Sequence, residues 1–140
     1  MEKKILVITS SLAEQVQLLL LLTAAGYTPT CCESLPSALT ALESSSFDAI
    51  ITDPIIMDTP PQKMTAVEFV SLVQKTPNPT TPILVMGDVI SLQYIMNTLR
   101  SGIARFIPKP FTPTEFIETV SAELCVAEHQ HPQKTIISNR

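Results

Sequence analysis

The sequence predicts a doubly wound α/β fold, in which the strands of one parallel sheet alternate with helices along the chain. Short apolar segments of strand length alternate with longer segments whose apolar residues have helical spacing. The segment Ala49 to Ile51 is a continuous apolar run, which is typical of a central strand buried on both faces. Alternation of this kind places helices on the two faces of a single sheet.

The predicted elements follow one another in a regular order. The strands are Lys4 to Ile8, Tyr27 to Cys32, Ala49 to Asp53, Ile83 to Met86 and Ala104 to Ile107. The helices are Leu12 to Ala25, Leu35 to Leu42, Thr65 to Gln74, Ser91 to Arg100, and Pro113 to beyond Cys125. The connection between Asp53 and Thr65 is long and rich in proline, and we expect it to be a loop.

Residue chemistry at the boundaries supports these elements. Three hydroxyl residues, from Thr9 to Ser11, end the first strand and can cap the first helix. Gly26 and Gly102 end helices. Pro29 confines the second strand to a sheet edge, because proline cannot donate a hydrogen bond to a neighbouring strand. Thr112 precedes Glu115 by three residues, which predicts a capping box at the last helix.

Composition narrows the class of protein. The chain has 140 residues, of which 45% are apolar, so a single folded domain is expected. A net charge of −4 argues against nucleic acid or an anionic membrane as the main partner. The three cysteines have neither disulfide nor metal-ligand spacing and are expected to be reduced thiols of a cytoplasmic protein. No apolar run has the length of a membrane span, and no signal peptide is expected.

Asp53 is the first candidate functional residue. It follows the central strand, and Pro54 prevents the strand from continuing. The carboxyl ends of parallel strands form the edge where open α/β sheets bind ligands. An aspartate in this position also commonly caps a turn, so the strand end alone leaves both roles open.

From Lys3 to about Leu124 the sequence resembles the receiver domain of two-component response regulators. The matching segments are Lys4 to Ile8, Ala24 to Tyr27, Phe47 to Asp53, Gly102, and Phe106 to Phe111. The resemblance implies a flavodoxin-like sheet of five parallel strands in the order 2-1-3-4-5, with five helices. We expect a receiver-like domain over residues 1–126 and a polar tail or linker over residues 127–140.

The resemblance also assigns expected roles. Asp53 is the phosphoacceptor candidate, modified by a histidine kinase, and Lys109 is the candidate that contacts the phosphate. A cis peptide is implied before Pro110. Phe106 matches the switch aromatic of the family, the residue that reports phosphorylation. Lys109 is the natural counter-ion of Asp53, so we expect the two within direct or one-water reach. An opposite charge lowers a carboxyl pKa, so the pKa of Asp53 is expected near or below its usual value.

Three positions depart from the family pattern. Thr9 and Ser10 stand where the family has two acidic residues that hold Mg²⁺, a cation that prefers carboxylate oxygen. Gly87 stands where the family has a serine or threonine. We therefore expect a degenerate pocket with weak or absent Mg²⁺ binding and no other cofactor. Asp58 and Asp88 are nearby acids that could enter the pocket, although exposed turn carboxylates are the plainer interpretation.

These observations predict a signalling module of a phosphorelay that acts by protein–protein contact and is not an enzyme. The alternative is a working phosphoacceptor, and a flavin-binding protein of the same fold is a minor alternative. Expected partners are proteins, such as a histidine kinase or an effector domain. A homodimer is a further expectation, because Leu20 lies opposite the predicted buried stripe of Leu18, Leu21, Leu22 and Ala25, and Leu19 lies on its flank. Singly exposed leucines are also common.

Overall fold

The structure, a computed structural model, describes residues 2–57, 63–96 and 102–137. Its strands are β1 (Lys4–Ile8), β2 (Thr28–Cys32), β3 (Ala49–Thr52), β4 (Ile55–Met57), β5 (Lys63–Thr65), β6 (Ile83–Gly87) and β7 (Arg105–Pro108). Its helices are α1 (Leu12–Ala24), α2 (Leu35–Ser44), α3 (Ala66–Val73), α4 (Val89–Met96) and α5 (Pro113–Ile137). No helix of the described ranges has the length and hydrophobicity needed to span a membrane.

The main sheet has five parallel strands in the order β2-β1-β3-β6-β7. Counted along the sheet-forming strands alone, this is the predicted order 2-1-3-4-5, so the flavodoxin-like fold class is confirmed. All four residues of β3 are buried, as expected for the central strand. Strand β2, which contains Pro29, lies at one edge as predicted.

Alternating side chains of the strands supply two hydrophobic cores, one on each face of the sheet. Ile50 points to the core shared with α2 and α3, where Phe69 is fully buried. Ile51 points to the core shared with α1 and α5, where Phe116 is fully buried. Successive strand residues face opposite sides, so an apolar run such as that of β3 is needed to serve both cores.

An antiparallel hairpin of β4 and β5 occupies the connection that was expected to be a loop. Ile55 pairs with Thr65 across the two strands. The next residue, Ile56, is buried in the α2–α3 core. Thr65 also begins α3 through a capping box with Glu68, whose backbone N–H donates to the threonine hydroxyl at 3.2 Å. Burial of Ile56 therefore anchors the hairpin to the domain. Asp58 lies outside the described residues.

Several predicted boundaries shift. Strand β3 ends at Thr52, one residue before Asp53, and α4 begins at Val89 because the N–H of Leu92 donates to the carbonyl of Asp88. The predicted end of α4 near Arg100 lies outside the described residues. The backbone of α5 is helical as far as Ile137. Part of the predicted tail is thus helical, while the division between domain and tail at residue 126 remains a prediction.

Helix α1 buries Leu18 and Leu22, as predicted. Ala25 caps the helix and is exposed, so its assignment to the buried stripe was wrong. Leu20 is 63% exposed and Leu19 is 41% exposed, on the outward side that the helical spacing indicates.

Asn78 holds the connection between α2 and β3 in place. Its side chain is buried, accepts a hydrogen bond from the N–H of Phe47 at 2.7 Å, and donates to the carbonyls of Leu42 and Ser45 at 2.8 and 2.9 Å. One amide thus satisfies three backbone groups, one in the last turn of α2 and two in the loop that follows it.

We predict that Asn78→Ala lowers the free energy of unfolding by about 2–3 kcal/mol, because buried backbone groups lose their partners. Chemical denaturation measures the change. Thr80→Ala is the matched control, since Thr80 is exposed two residues away, and it should leave the free energy of unfolding within about 0.5 kcal/mol. Equal effects of the two substitutions would contradict this role of Asn78.

Candidate functional site

Asp53 lies at the carboxyl edge of the sheet, next to the ends of β1 and β6. Its backbone N–H donates to the carbonyl of Ile8 at 3.2 Å, which fixes it one residue beyond β3. Its side chain retains 20% of its accessible surface. Thr9 follows β1, and the N–H of Lys109 donates to the carbonyl of Gly87 at 2.8 Å. The predicted positions Thr9, Asp53, Gly87 and Lys109 are therefore brought to the same sheet edge.

Lys109 reaches across this edge to the carboxyl groups. Its Nζ lies 3.5 Å from Oδ1 of Asp53, within the direct reach that the sequence predicts. The peptide between Lys109 and Pro110 is cis, as the resemblance implies. Phe111, two residues on, stacks on Phe116 at 5.0 Å between ring centroids, which anchors this loop to α5.

The principal partner of Lys109 is Glu14, which the sequence analysis missed. The ammonium group of Lys109 donates to Oε2 of Glu14. The Thr9 hydroxyl donates to Oε1 of Glu14 at 3.0 Å, so both carboxylate oxygens have donors. Ser11 caps α1 by accepting the N–H of Glu14 at 3.2 Å, which holds the glutamate in the first turn beside the pocket.

A signal for Glu14 exists in the sequence. It is the one charged residue between Lys4 and Glu33, in a helix whose other residues are apolar or neutral. It also stands three residues after Ser11, which is the pattern of a capping box. In such a box the glutamate would turn back to the backbone of the cap, whereas here it turns into the pocket. The local pattern thus suggests a different partner from the one that the tertiary fold supplies.

The electrostatics contradict the expected titration of Asp53. Burial raises the pKa of Asp53, and the negative charge of Glu14 and a hydrogen bond with it raise that pKa further. Hydrogen bonding to Thr9 and the charge of Lys109 act in the opposite direction but do not compensate. The expectation of a pKa near or below the usual value was therefore wrong. The nearby ammonium group of Lys109 does not lower the pKa of Asp53 below its usual value, because Glu14 shares that ammonium group.

Glu14 has the opposite balance. Burial acts to raise the pKa of Glu14, but the hydrogen bond and charge of Lys109, together with the Thr9 hydroxyl, lower it below its usual value. The ionised form of Glu14 is thus the better stabilised of the two carboxylates. The pocket contains two carboxyl groups and one ammonium group among its described residues, so one negative charge is left without a full counter-charge.

The remaining predicted positions have plainer surroundings. Thr9 is buried, and its carbonyl accepts a hydrogen bond from Nε2 of Gln15 at 2.8 Å. Ser10 and Asp88 are both exposed. Phe106 is half-buried and packs against the α2–α3 core. Within the described ranges, no group of three or more His, Cys, Asp or Glu side chains could hold a metal ion. Among the described residues, Asp53 and Glu14 are two carboxylates that lie together at this edge.

Three solved structures illustrate the similarity of the fold. The adenylate cyclase from Rhodopirellula baltica is 20% identical, with a TM-score of 0.80 and full coverage of both chains. The chemotaxis response regulator CheY4 of Vibrio cholerae is 26% identical, with a TM-score of 0.76 over 88% of this chain and 99% of that chain. No curated protein sequence is similar enough to be matched to this chain.

The third structure contains a bound magnesium ion. The receiver domain of the sensor histidine kinase PA1611 from Pseudomonas aeruginosa is 19% identical, with a TM-score of 0.73 over 89% of this chain and 98% of that chain. It has a magnesium ion coordinated in its active site cleft. At this identity, and at that of the adenylate cyclase, the likeness shows the fold alone.

The response regulator receiver domain family matches residues 5–121, which is most of the chain. The match spans all the strands of the main sheet and includes both Asp53 and Lys109. The chain therefore belongs to the response regulator receiver domain family of two-component signalling proteins.

Proposed function

We propose that this receiver domain acts by protein–protein contact, without catalysis, and that Mg²⁺-dependent phosphorylation of Asp53 is weak or absent. The observation that carries the proposal is the pairing of Lys109 with Glu14. Lys109 is the cation that lies at Asp53, and Glu14 already engages it. A phosphoryl group arriving at Asp53 would meet a lysine that is shared and a second carboxylate that repels it.

The arrangement does not fit a magnesium ion. Mg²⁺ is small, demands near-ideal octahedral geometry and prefers oxygen ligands. Both oxygens of Glu14 accept hydrogen bonds from Lys109 and Thr9, and the ammonium lies beside both carboxylates. The ion would have to displace this internal cation. Thr9 supplies a neutral hydroxyl, and Ser10 is exposed, where the family has its acidic pair.

Transfer of a phosphoryl group concentrates negative charge between Asp53 and the incoming group. One preorganised stabiliser of such charge is worth about 3–4 kcal/mol, by analogy with an oxyanion-hole donor. Gly87 lacks a hydroxyl, and the residues for the metal do not fit, which removes two contributions of this size. The expected loss is about four or more powers of ten in rate.

The alternative function, a working phosphoacceptor, is favoured by one observation. Glu14 places a second carboxylate beside Asp53, where an acidic residue of another position could replace the missing pair. If Lys109 moved aside, the two carboxylates would offer oxygen ligands to a divalent cation. The two proposals therefore predict opposite consequences of removing the charge of Glu14.

We predict no labelling of the protein by a small phosphodonor such as acetyl phosphate, with or without Mg²⁺, on a timescale of minutes. Glu14→Gln should increase the slow residual labelling, because it removes the repelling charge and releases Lys109 to Asp53. Intact-protein mass spectrometry measures the added phosphoryl group, and Asp53→Asn is the control for the site.

The alternative predicts the reverse pattern. Stoichiometric, Mg²⁺-dependent labelling of the native chain that is lost in both Asp53→Asn and Glu14→Gln would refute the contact-only proposal. It would establish Glu14 as part of a metal site in a working phosphoacceptor.

The raised pKa of Asp53 predicts a pH dependence of stability. A carboxyl group whose pKa is higher in the folded state destabilises the fold when it is ionised, and this penalty disappears as the pH falls through the folded pKa towards the unfolded value. We predict that Asp53→Asn increases the free energy of unfolding at pH 7 and that its advantage shrinks at pH 4. Urea denaturation of both proteins at pH 7 and at pH 4 measures the difference in the free energy of unfolding. A gain that is equal at both values would contradict the assignment.

Partners of this domain are proposed to be proteins, as in the two-component family, and its location to be the cytoplasm. A second copy of the chain is one proposed partner. Four apolar residues of α1 are exposed on one side, namely Leu12, Val16, Leu19 and Leu20. Their spacing of four, three and one residues places them on a common helical face. This face contains no charged residue, so two copies could meet there without burying a charge.

We predict that Leu20→Glu shifts the solution mass, measured by light scattering, from that of a dimer to that of a monomer, because the pairing would bury the new carboxylate. Ser71→Glu is the matched control, since it adds the same charge on an exposed position of α3. If Leu20→Glu leaves the mass unchanged, α1 is not a dimer interface.

A further inference from the structure

Gly87, the last residue of β6, lies where there is no room for a side chain. A Cβ atom at this position would lie 2.7 Å from Cγ and 3.3 Å from Cδ of Pro54. The first distance is shorter than the contacts that real Cβ atoms make. The third neighbour, Leu92, would be at an ordinary 3.6 Å. The ring of Pro54 therefore fills the space that a side chain at position 87 would need.

Both sides of this contact are held by the backbone. The carbonyl of Pro54 accepts the N–H of Ala66 at 2.8 Å, at the start of α3. The next residue, Ile55, pairs with Thr65 in the hairpin. A proline ring has no rotatable side chain that could swing aside. Apart from a change in the pucker of the proline ring, neither partner can move without disturbing the edge of the sheet or the hairpin.

Gly87 is fixed in a similar way. Its carbonyl accepts the N–H of Lys109 at 2.8 Å, and its pairing partner in β7 is Pro108. A shift of Gly87 away from Pro54 would therefore move Lys109 as well. The contact thus couples the loop that follows Asp53 to the loop that carries Lys109.

We propose that Pro54 determines which residue fits at position 87, because its ring excludes any side chain there from the pocket beside Asp53. The ring of Pro54 and the missing hydroxyl at position 87 are then linked by packing. A serine at position 87 can be accommodated only when the ring of Pro54 is removed. The proposal concerns packing and stands independently of whether Asp53 is phosphorylated.

The test is a double-mutant cycle of Gly87→Ser and Pro54→Ala, with unfolding by urea measured for the native chain, both single variants and the double variant. Overpacking a fixed site typically costs enough to raise the unfolding equilibrium constant about tenfold or more. We expect an increase of that size for Gly87→Ser in the native background and little further change when Pro54→Ala is present. Equal effects in both backgrounds would overturn the proposal, because independent sites are additive.

Gly26→Ser is the matched control. Gly26 has φ of +94° and no atom within 4 Å of an added Cβ. A serine at position 26 is therefore disfavoured by the backbone conformation alone. Its effect should be the same in both backgrounds. If Gly87→Ser prevents folding, a folded double variant supports the coupling, and failure of both to fold overturns it. Labelling of the native chain would refute the proposed function but would leave this cycle unaffected.

Discussion

The structure depends on the burial of β3 between β1 and β6. Strand β3 pairs with both neighbours in parallel, and its side chains serve both hydrophobic cores. Because the three strands end at the same edge, the residues that follow them are brought together. Asp53 and Thr9, which follow β3 and β1, and Gly87, which ends β6, are neighbours for this reason. The hydrophobic core thus sets the geometry of a polar pocket.

The charges within that pocket determine what it can do. A single carboxylate beside a lysine would be held ionised, ready to accept an electrophilic group. Here Glu14 from α1 competes for Lys109, and the pKa values of the two carboxyl groups move in opposite directions. Lys109 is thereby a positive charge shared by both carboxylates at this edge. The proposed contact-only function depends on this sharing of Lys109 between two carboxylates.

The hairpin of β4 and β5 links the pocket to the α3 side of the domain. It begins directly after Pro54, buries Ile56, and ends at Thr65, which caps α3. The proline ring is thereby held over the end of β6. The proposed exclusion of side chains at position 87 thus couples the residue after Asp53 to the end of a neighbouring strand, although the two positions are far apart in the sequence.

The sequence by itself determined the class of fold, the strand order implied by the family resemblance, and the placement of Asp53 and Lys109 at one edge. The fold class and the position of Asp53 follow from apolar periodicity and from residues at strand ends, which are local properties. The strand order and the role of Lys109 were implied by the family resemblance. Glu14, the hairpin and the contact of Pro54 with Gly87 were decided only by tertiary structure. Glu14 turns towards Lys109, a residue 95 positions away, and not towards the backbone of its own helix. The pKa of Asp53 depends on both Glu14 and Lys109. Electrostatic and steric fit between distant segments is not encoded in any local pattern.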